Sequence, residues 1–488
     1  MSTIAESIAA AREAFIEELC VRGFSLRDDC HTLVGDIDVG GSPVQHQILL
    51  SDNFPITRPR VLAPESENGP SWHQERDGGL CLWSDEEVSD LPWTDVDCVI
   101  ERVSQWHAAS AAGWPDEPPD LDLERYWPRD RSKLFMYPDL EPLTGKPCKA
   151  QKKLKGQSNI WEVSEGNAPR KQRFFSVAVI DLGELDRPVR SFDEIAGLLG
   201  DDEAANIRAG IEGNRVKALM VRYRRGGHEA AVGLVVEKSD PEQLYAVRAA
   251  HMGDSTLRLR AGLDAEALAS KSAAIVGMGA IGSIVAELLA RSGIGALTLV
   301  DDDLVMPGNC IRHVATHEAV GRAKPEAVKD HLVKRGITTE EAITPLNASL
   351  ESVDNAEWIF GNHDIVIDAT GNGPATALIC TASKILGKPS ITVCLQRNGT
   401  VARVDRFPLG DGEAHDDPLP PGGPRVELRE AGCGDPVSPA PPWACAAAAA
   451  RAAGMAADLL SGRSTCPPTM IDELIREPGS ASVAGATH

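Results

Sequence analysis

The chain has eleven cysteines but no CxxC pair, which removes the usual frame of a zinc knuckle or a thioredoxin-type redox site. Positive charge is scarce. Lysine plus arginine number 49 against 72 aspartates and glutamates, and a net charge of −23 repels phosphate backbones and anionic lipid, so neither nucleic acid nor a membrane surface is an expected partner. Aromatic residues make up only 5%, yet 42% of the chain is hydrophobic and 25% charged, a mixture that folds rather than stays disordered. Long apolar runs are also missing. The N-terminal MSTIAESIAAAREAF has Glu6 and Glu13 inside its apolar stretch and no basic leader, so a secretory signal is not expected. The most apolar segment, 443–460, is interrupted by Arg451 and Asp458 and reads as a buried helix instead of a membrane span. A cytoplasmic chain with reduced thiols is the expectation.

At roughly 150 residues per domain, 488 residues allow about three domains. Ile4, Ile8, Ala11, Phe15 and Leu19 repeat at helical spacing behind Thr3 and Glu6, which are spaced as a capping box. A hairpin is expected around Gly40-Gly41, followed by a proline-punctuated turn into a short strand (FPITRPRVL, from Phe54) and a polar loop carrying Cys81. Val96, Val99, Ile100, Val103 and Trp106 then mark a second helix. This α+β block is assigned to residues 1–130. From Gly113 to Arg173 the chain is first proline-rich and then basic, with Lys149, Lys152, Lys153, Lys155, Arg170, Lys171 and Arg173; residues 131–173 read as a linker. Such a segment is either a solvated tether or a dock for an acidic surface or a nucleotide. Residues 174–260 read as a small α/β module without a legible role. From Leu268 onward strand, glycine turn and helix repeat, which implies a doubly wound parallel sheet, assigned to 261–476 with a frayed tail at 477–488.

The strand Ala273 to Val276 runs into GMGAIG, placing Gly277, Gly279 and Gly282 where a strand ends and a helix starts. Backbone N–H groups in such a turn approach phosphate, and the helix N-terminus adds about half a positive charge. Asp301, about 24 residues on, is placed to accept from ribose hydroxyls, as in an NAD site, so a dehydrogenase is a first rival. Asp303 belongs to the same acidic run. Asn309, Arg312 and Lys324 follow, and two fixed cations there suit a triphosphate better than a nicotinamide. Asp368 ends the strand Ile365 to Ile367 at the sheet edge, where a carboxylate either caps the next helix or holds magnesium against a leaving pyrophosphate.

DDDLVMPGNCIRH followed by Gly321-Arg322-Ala323-Lys324 resembles the adenylation domain of ubiquitin-activating enzymes and their ThiF/MoeB-type relatives, over about residues 255 to 460. The resemblance implies a Rossmann-like fold, ATP and magnesium as cofactors, and a homodimer. It gives Asp301 the ribose, Asn309, Arg312 and Lys324 the phosphates, and Asp368 the magnesium, with Arg258 or Arg260 reaching the partner subunit's nucleotide. The zinc-binding CxxC pairs of many sulfur-carrier relatives are missing.

An acyl-adenylate beside a thiolate yields a thioester as AMP leaves. Cys433, in AGCGDP on a polar loop, is the expected acceptor; Cys394 in an apolar strand and Cys445 in an apolar helix are expected to be packing residues. CGDP resembles the catalytic motif of bacterial fusions of activating and conjugating modules. The first block, with FPITRPRV, His73, Gly79-Leu80-Cys81-Leu82 and Trp93, resembles a ubiquitin-conjugating enzyme, and Cys81 would be its acceptor. The family's His-Pro-Asn turn reads His73-Gln74-Glu75 here and lies eight residues from the cysteine. Together the two resemblances imply one enzyme that adenylates a protein C-terminus, forms a thioester on Cys433, transfers it to Cys81 and conjugates it to an amine. The substrate is a ubiquitin-like protein or, as in similar anti-phage fusions, a nucleotidyltransferase. A sulfur-carrier adenylyltransferase with a non-catalytic first domain is the alternative, and a nucleotide-switched scaffold is the non-enzymatic one.

Overall fold

The computed structural model describes residues 4–64, 70–83, 91–115, 121–153, 159–171, 173–237, 240, 243–253, 256, 259–417, 428, 429 and 436–475. The chain forms two compact units, Met1–Gly253 and Asp254–His488.

The first unit opens with α1 (Ile4–Val21), whose apolar stripe buries Phe15 and Leu19 while Ile4 stays exposed. The strands β1 (Ser25–Leu26), β2 (Thr32–Val39), β3 (Ser42–Leu49) and β4 (Arg60–Leu62) follow as an antiparallel sheet in sequence order. The β2–β3 turn places both Gly40 and Gly41 at positive φ, which a two-residue hairpin loop demands. The helix α2 (Val96–Ala112) starts where the Asp95 carboxylate accepts from the N–H groups of Asp97 and Cys98, a cap of about 1 kcal/mol, and ends at Gly113 with φ 79°. Its Val96, Val99, Val103 and Trp106 are buried, as the spacing requires.

The stretch expected as a linker is folded. β5 (Arg129–Tyr137), β6 (Cys148–Lys152) and β7 (Ile160–Glu165) lie within or across 131–173. They close a seven-stranded barrel with β8 (Phe174–Glu184), β9 (Ala218–Arg225), β10 (His228–Val236) and β11 (Leu244–His251), in the order β10-β11-β5-β7-β6-β8-β9. Two short helices, α3 (Phe192–Leu198) and α4 (Asp201–Glu212), join β8 to β9. The basic residues were misleading because of strand periodicity: Cys148, Ala150, Trp161 and Val163 point inward and are buried, while Lys149 and Gln151 take the alternate positions of β6 and Lys152 ends the strand. The tether reading of 131–173 is therefore corrected. Phe15, Val99 and Tyr126 share one apolar cluster with Leu219, Val221 and Tyr223, so the barrel and the α+β block are packed on each other.

In the second unit, α5 (Ala265–Leu268), β12 (Ser272–Val276), α6 (Gly282–Arg291), β13 (Ala296–Asp301), α7 (Lys324–Lys334), β14 (Ile343–Asn347), α8 (Val353–Asn362), β15 (Ile365–Asp368), α9 (Gly373–Leu386) and β16 (Ser390–Gln396) alternate in the doubly wound manner. β17 (Val401–Phe407) turns back, β18 (Leu428–Arg429) and β19 (Pro436–Val437) pair as a small ribbon, and α10 (Pro442–Leu460) precedes β20 (Thr469–Glu473). The main sheet runs β14-β13-β12-β15-β16-β17-β20, parallel through β16 and antiparallel after it. The alanine face of α10 is buried against α6 and the sheet, as expected of an interrupted apolar run. Among the described residues no helix is long and apolar enough to cross a membrane.

Candidate active site

β12 sits between β13 and β15, so the chain winds to one side of it and then to the other. In open α/β sheets the crevice beyond the carboxyl ends at such a reversal is where ligands bind. Val276 pairs with Val300 on one side and with Asp368 on the other. Gly277, Asp301 and Asp368 therefore stand side by side at three adjacent strand ends, as expected of a nucleotide crevice.

The three glycines divide by what surrounds them. Gly277 has φ 89°, and a Cβ there would lie 2.8 Å from the backbone of Ala369 and Thr370. A Cβ at Gly282 would lie 1.8 Å from the Gly277 carbonyl oxygen, so this glycine lets α6 pack on the turn. A Cβ at Gly279 would meet nothing within 4 Å. That position faces open space, where backbone can approach a phosphate.

Asp301 is tied to the turn: its Oδ2 accepts from the Met278 N–H at 2.6 Å and its Oδ1 from the Asp303 N–H at 2.9 Å. Burial pushes its carboxyl above the ordinary range, opposed by the Lys324 ammonium 3.6 Å away and by these two N–H donors. Lys324, at the start of α7, also reaches the Asp303 carboxylate at 2.7 Å. His313 was not anticipated. It is 8% exposed, its Nδ1 accepts from the Ala315 N–H at 2.9 Å, and its Nε2 therefore carries the proton donated to the Met278 carbonyl at 2.8 Å. Burial lowers its pKa to about 4, so at neutral pH it is an uncharged strut between the NCIRH segment and the glycine turn. Its position directly after Arg312 in that motif was the available signal.

Arg312 donates to the carbonyl oxygens of Ser438 and Ala440, at 2.8 and 3.1 Å. Asn309 spends its Oδ1 on the Met306 N–H at 2.9 Å, holding the turn that presents Arg312. Asp368 is 2% exposed and satisfied: Oδ1 accepts from the N–H and hydroxyl of Thr370, and Oδ2 from the hydroxyl of Thr376 in α9.

Of the cysteines, Cys394 in β16 and Cys445 in α10 are packed, and burial pushes both thiols up. Cys433 lies outside the described residues, as does Arg258; Arg260 is exposed. Cys81 is half-buried in the first unit, its N–H donating to the His73 carbonyl at 2.9 Å and its sulfur accepting from Arg125 at 3.1 Å. His73, at φ 60°, packs its ring on Trp114, and its carbonyl also takes the Trp106 indole N–H. Glu75 is paired with Arg60 at 2.7 Å. Arg125, which was missed, stands against the Cys81 sulfur; it arrives from a turn 44 residues further along the chain, a distance no local motif spans.

Residues 255–457 match the model of the ThiF family. A stretch of 108 residues is 40% identical to the molybdopterin-synthase adenylyltransferase of Escherichia coli (strain K12), covering 22% of this chain and 42% of that protein. Over 317 residues it is 28% identical to the ATP-dependent ubiquitin transferase-like protein Cap2 of Enterobacter hormaechei subsp. hoffmannii, covering 59% of this chain and 50% of that one. A crystal structure of E. coli MccB aligns with a TM-score of 0.34 at 18% identity, over 46% of this chain and 70% of the other. The chain spans half or less of the length of these two curated relatives. The segment similar to the ThiF family, residues 255–457, thus lies within the second unit and holds the crevice described above.

Proposed function

We propose that this chain uses ATP to activate the C-terminal carboxylate of a protein and carries the acyl group onward as a thioester. The observation that carries the reading is the meeting of Gly277, Asp301 and Asp368 at the strand reversal, with Lys324 on Asp301, inside the segment that matches the ThiF family. The names of two relatives, an adenylyltransferase and an ATP-dependent ubiquitin transferase-like protein, support it.

On this reading the N–H groups of the Gly277 turn and the start of α6 receive phosphate, and Asp301 accepts from ribose. Asn309, Arg312 and Lys324 hold the triphosphate, the two cations exchanging carbonyl and Asp303 contacts for phosphate oxygens. Asp303 then remains at the rim beside Lys324. Magnesium keeps several waters and is usually bound by one or two carboxylates plus phosphate. Asp368 fits that demand, and among the described residues no cluster of three or more His, Cys, Asp or Glu forms a protein-only cage. When bound, the ion would neutralise charge on the leaving pyrophosphate. The substrate carboxylate attacks the α-phosphorus and pyrophosphate departs. The Cys433 thiolate attacks the acyl carbon and AMP departs, after which Cys81 takes the acyl group and passes it to an amine. The first 130 residues then serve as a ubiquitin-conjugating-like domain, the substrate is a ubiquitin-like protein or a nucleotidyltransferase, and the ThiF-type domain pairs as a homodimer in the cytoplasm.

The test is incubation with ATP, magnesium and candidate substrate proteins, read on non-reducing gels for wild type, Cys81→Ala and Cys433→Ala. Thiol-sensitive adducts lost separately in the two variants support the relay; adducts unchanged in both overturn it.

A further inference from the structure

A cleft of about 1750 Å³ opens on the barrel of the first unit, and its rim is basic in an acidic protein. Arg129, Arg131, Arg170, Lys171, Arg215 and Lys217 line it and are all exposed. Among the described residues none of the six lies within 4 Å of a carboxylate, whereas Lys133 beside them pairs with Asp130. Unpaired cations gathered on one concave face, against a net charge of −23 for the chain, form a local positive field that structural stability does not call for. Trp161 closes the floor; it is 9% exposed, and its indole nitrogen is buried without a hydrogen-bond partner. A second, smaller cavity shares Arg129, Asp130 and Arg131 with the cleft and adds Glu124 and Arg248. Glu124 is the neighbour in sequence of Arg125, whose guanidinium contacts Cys81. The basic face thus extends toward the turn that holds the thiol.

We infer that this cleft binds an acidic, extended segment of a protein partner. Single-stranded nucleic acid fits less well. Stacking platforms need free ring faces, but Trp161 and Phe175 pack on each other at 4.5 Å, and Phe175 also packs on Phe135. Asp130, Glu212 and Glu237 on the walls would also repel a continuous phosphate backbone, while a peptide can set its acids between them. Where Cys81 carries an acyl group, as proposed above, this docking would hold the partner beside it; the binding itself does not depend on that reading.

The experiment measures fluorescence anisotropy of a short fluorescein-labelled glutamate-rich peptide with the full chain, without ATP, for wild type, Arg131→Glu/Lys217→Glu and Arg170→Glu/Lys171→Glu. Expected is salt-sensitive binding that falls about tenfold or more in each double variant, with circular dichroism and pyrophosphate exchange unchanged. Absence of binding, equal binding by the variants, or tighter binding of an oligothymidine of similar charge overturns the inference. Peptide binding that persists while pyrophosphate exchange in the presence of the candidate substrate proteins is undetectable would count against the adenylation reading alone.

Discussion

The guanidinium of Arg125 donates through Nη1 to the sulfur of Cys81 at 3.1 Å while its Nε holds the Asp122 carboxylate at 3.1 Å. The carboxylate fixes the plane of the guanidinium, and the guanidinium offers the sulfur both a hydrogen bond and a positive charge. An adjacent cation favours thiolate over thiol, and the thiolate is the nucleophile. This contact gives a half-buried cysteine the electrostatic surroundings of a reactive one.

The consequence is measurable without a substrate. Replacing Arg125 by Ala should slow iodoacetamide alkylation of Cys81 several-fold at neutral pH and move the midpoint of its pH–rate profile upward, and Arg125→Lys should recover part of the loss because charge without the fixed fork is retained. The readout is mass spectrometry of the peptide containing Cys81, which separates it from the other thiols. Identical profiles for all three proteins would show that the guanidinium does not act on the sulfur.

Gly279 and Gly282 look alike in GMGAIG and should behave oppositely. Gly282→Ala forces a methyl to 1.8 Å from a carbonyl oxygen, so α6 must lift from the turn, and a loss of several kcal/mol with a clear fall in Tm is expected. Gly279→Ala adds a methyl to open space; Tm should hold, while ATP-dependent pyrophosphate exchange falls because that space is where phosphate approaches. Equal Tm losses in both would remove the distinction.

The same pair shows what was legible beforehand. Strand, glycine turn and helix announce a phosphate crevice through local spacing, and Asp301 and Asp368 can be placed because strand ends are readable from apolar runs. Which glycine packs and which stays open depends on Ala369 and Thr370, brought in by a strand about 90 residues later. The barrel failed for a related reason. Within 131–173, β6 has only five residues, and its inward positions include Cys148 and Ala150 rather than large aliphatic residues, so the lysines around them dominate composition. Arg125 and His313 were missed because each acts through one contact set by tertiary structure.

Lys324 gives a third test. Its ammonium stands between the buried Asp301 and the exposed Asp303, and for Asp301 it is the chief force opposing burial. Lys324→Ala should raise the Asp301 pKa further and remove a phosphate contact. A loss of roughly 10²-fold or more in pyrophosphate exchange is expected, with Lys324→Arg intermediate. Wild-type exchange in Lys324→Ala would exclude the lysine from the phosphate site.

Acid should destabilise the first unit through a pair of histidines. His46 donates its Nδ1–H to the Val44 carbonyl at 2.8 Å, so its Nε2 accepts from the Nε2–H of His107 at 2.9 Å, an arrangement that fails once both rings are protonated. Burial lowers the pKa of each, and that of His107 falls to about 4 from the ordinary 6.5. The unfolded chain therefore takes up protons near pH 6.5 that the folded unit resists, at His107 until about pH 4. The stability these rings confer is present in full above pH 6.5 and is lost progressively as pH falls through that window. Seven of the nine tryptophans lie before residue 254, and Trp106 packs edge-on to His107, so indole fluorescence in urea follows this unit. The urea midpoint should drop between pH of about 7 and about 5 in the wild type and change less in His46→Gln/His107→Gln; an equal drop in the double variant would assign the acid sensitivity to other groups.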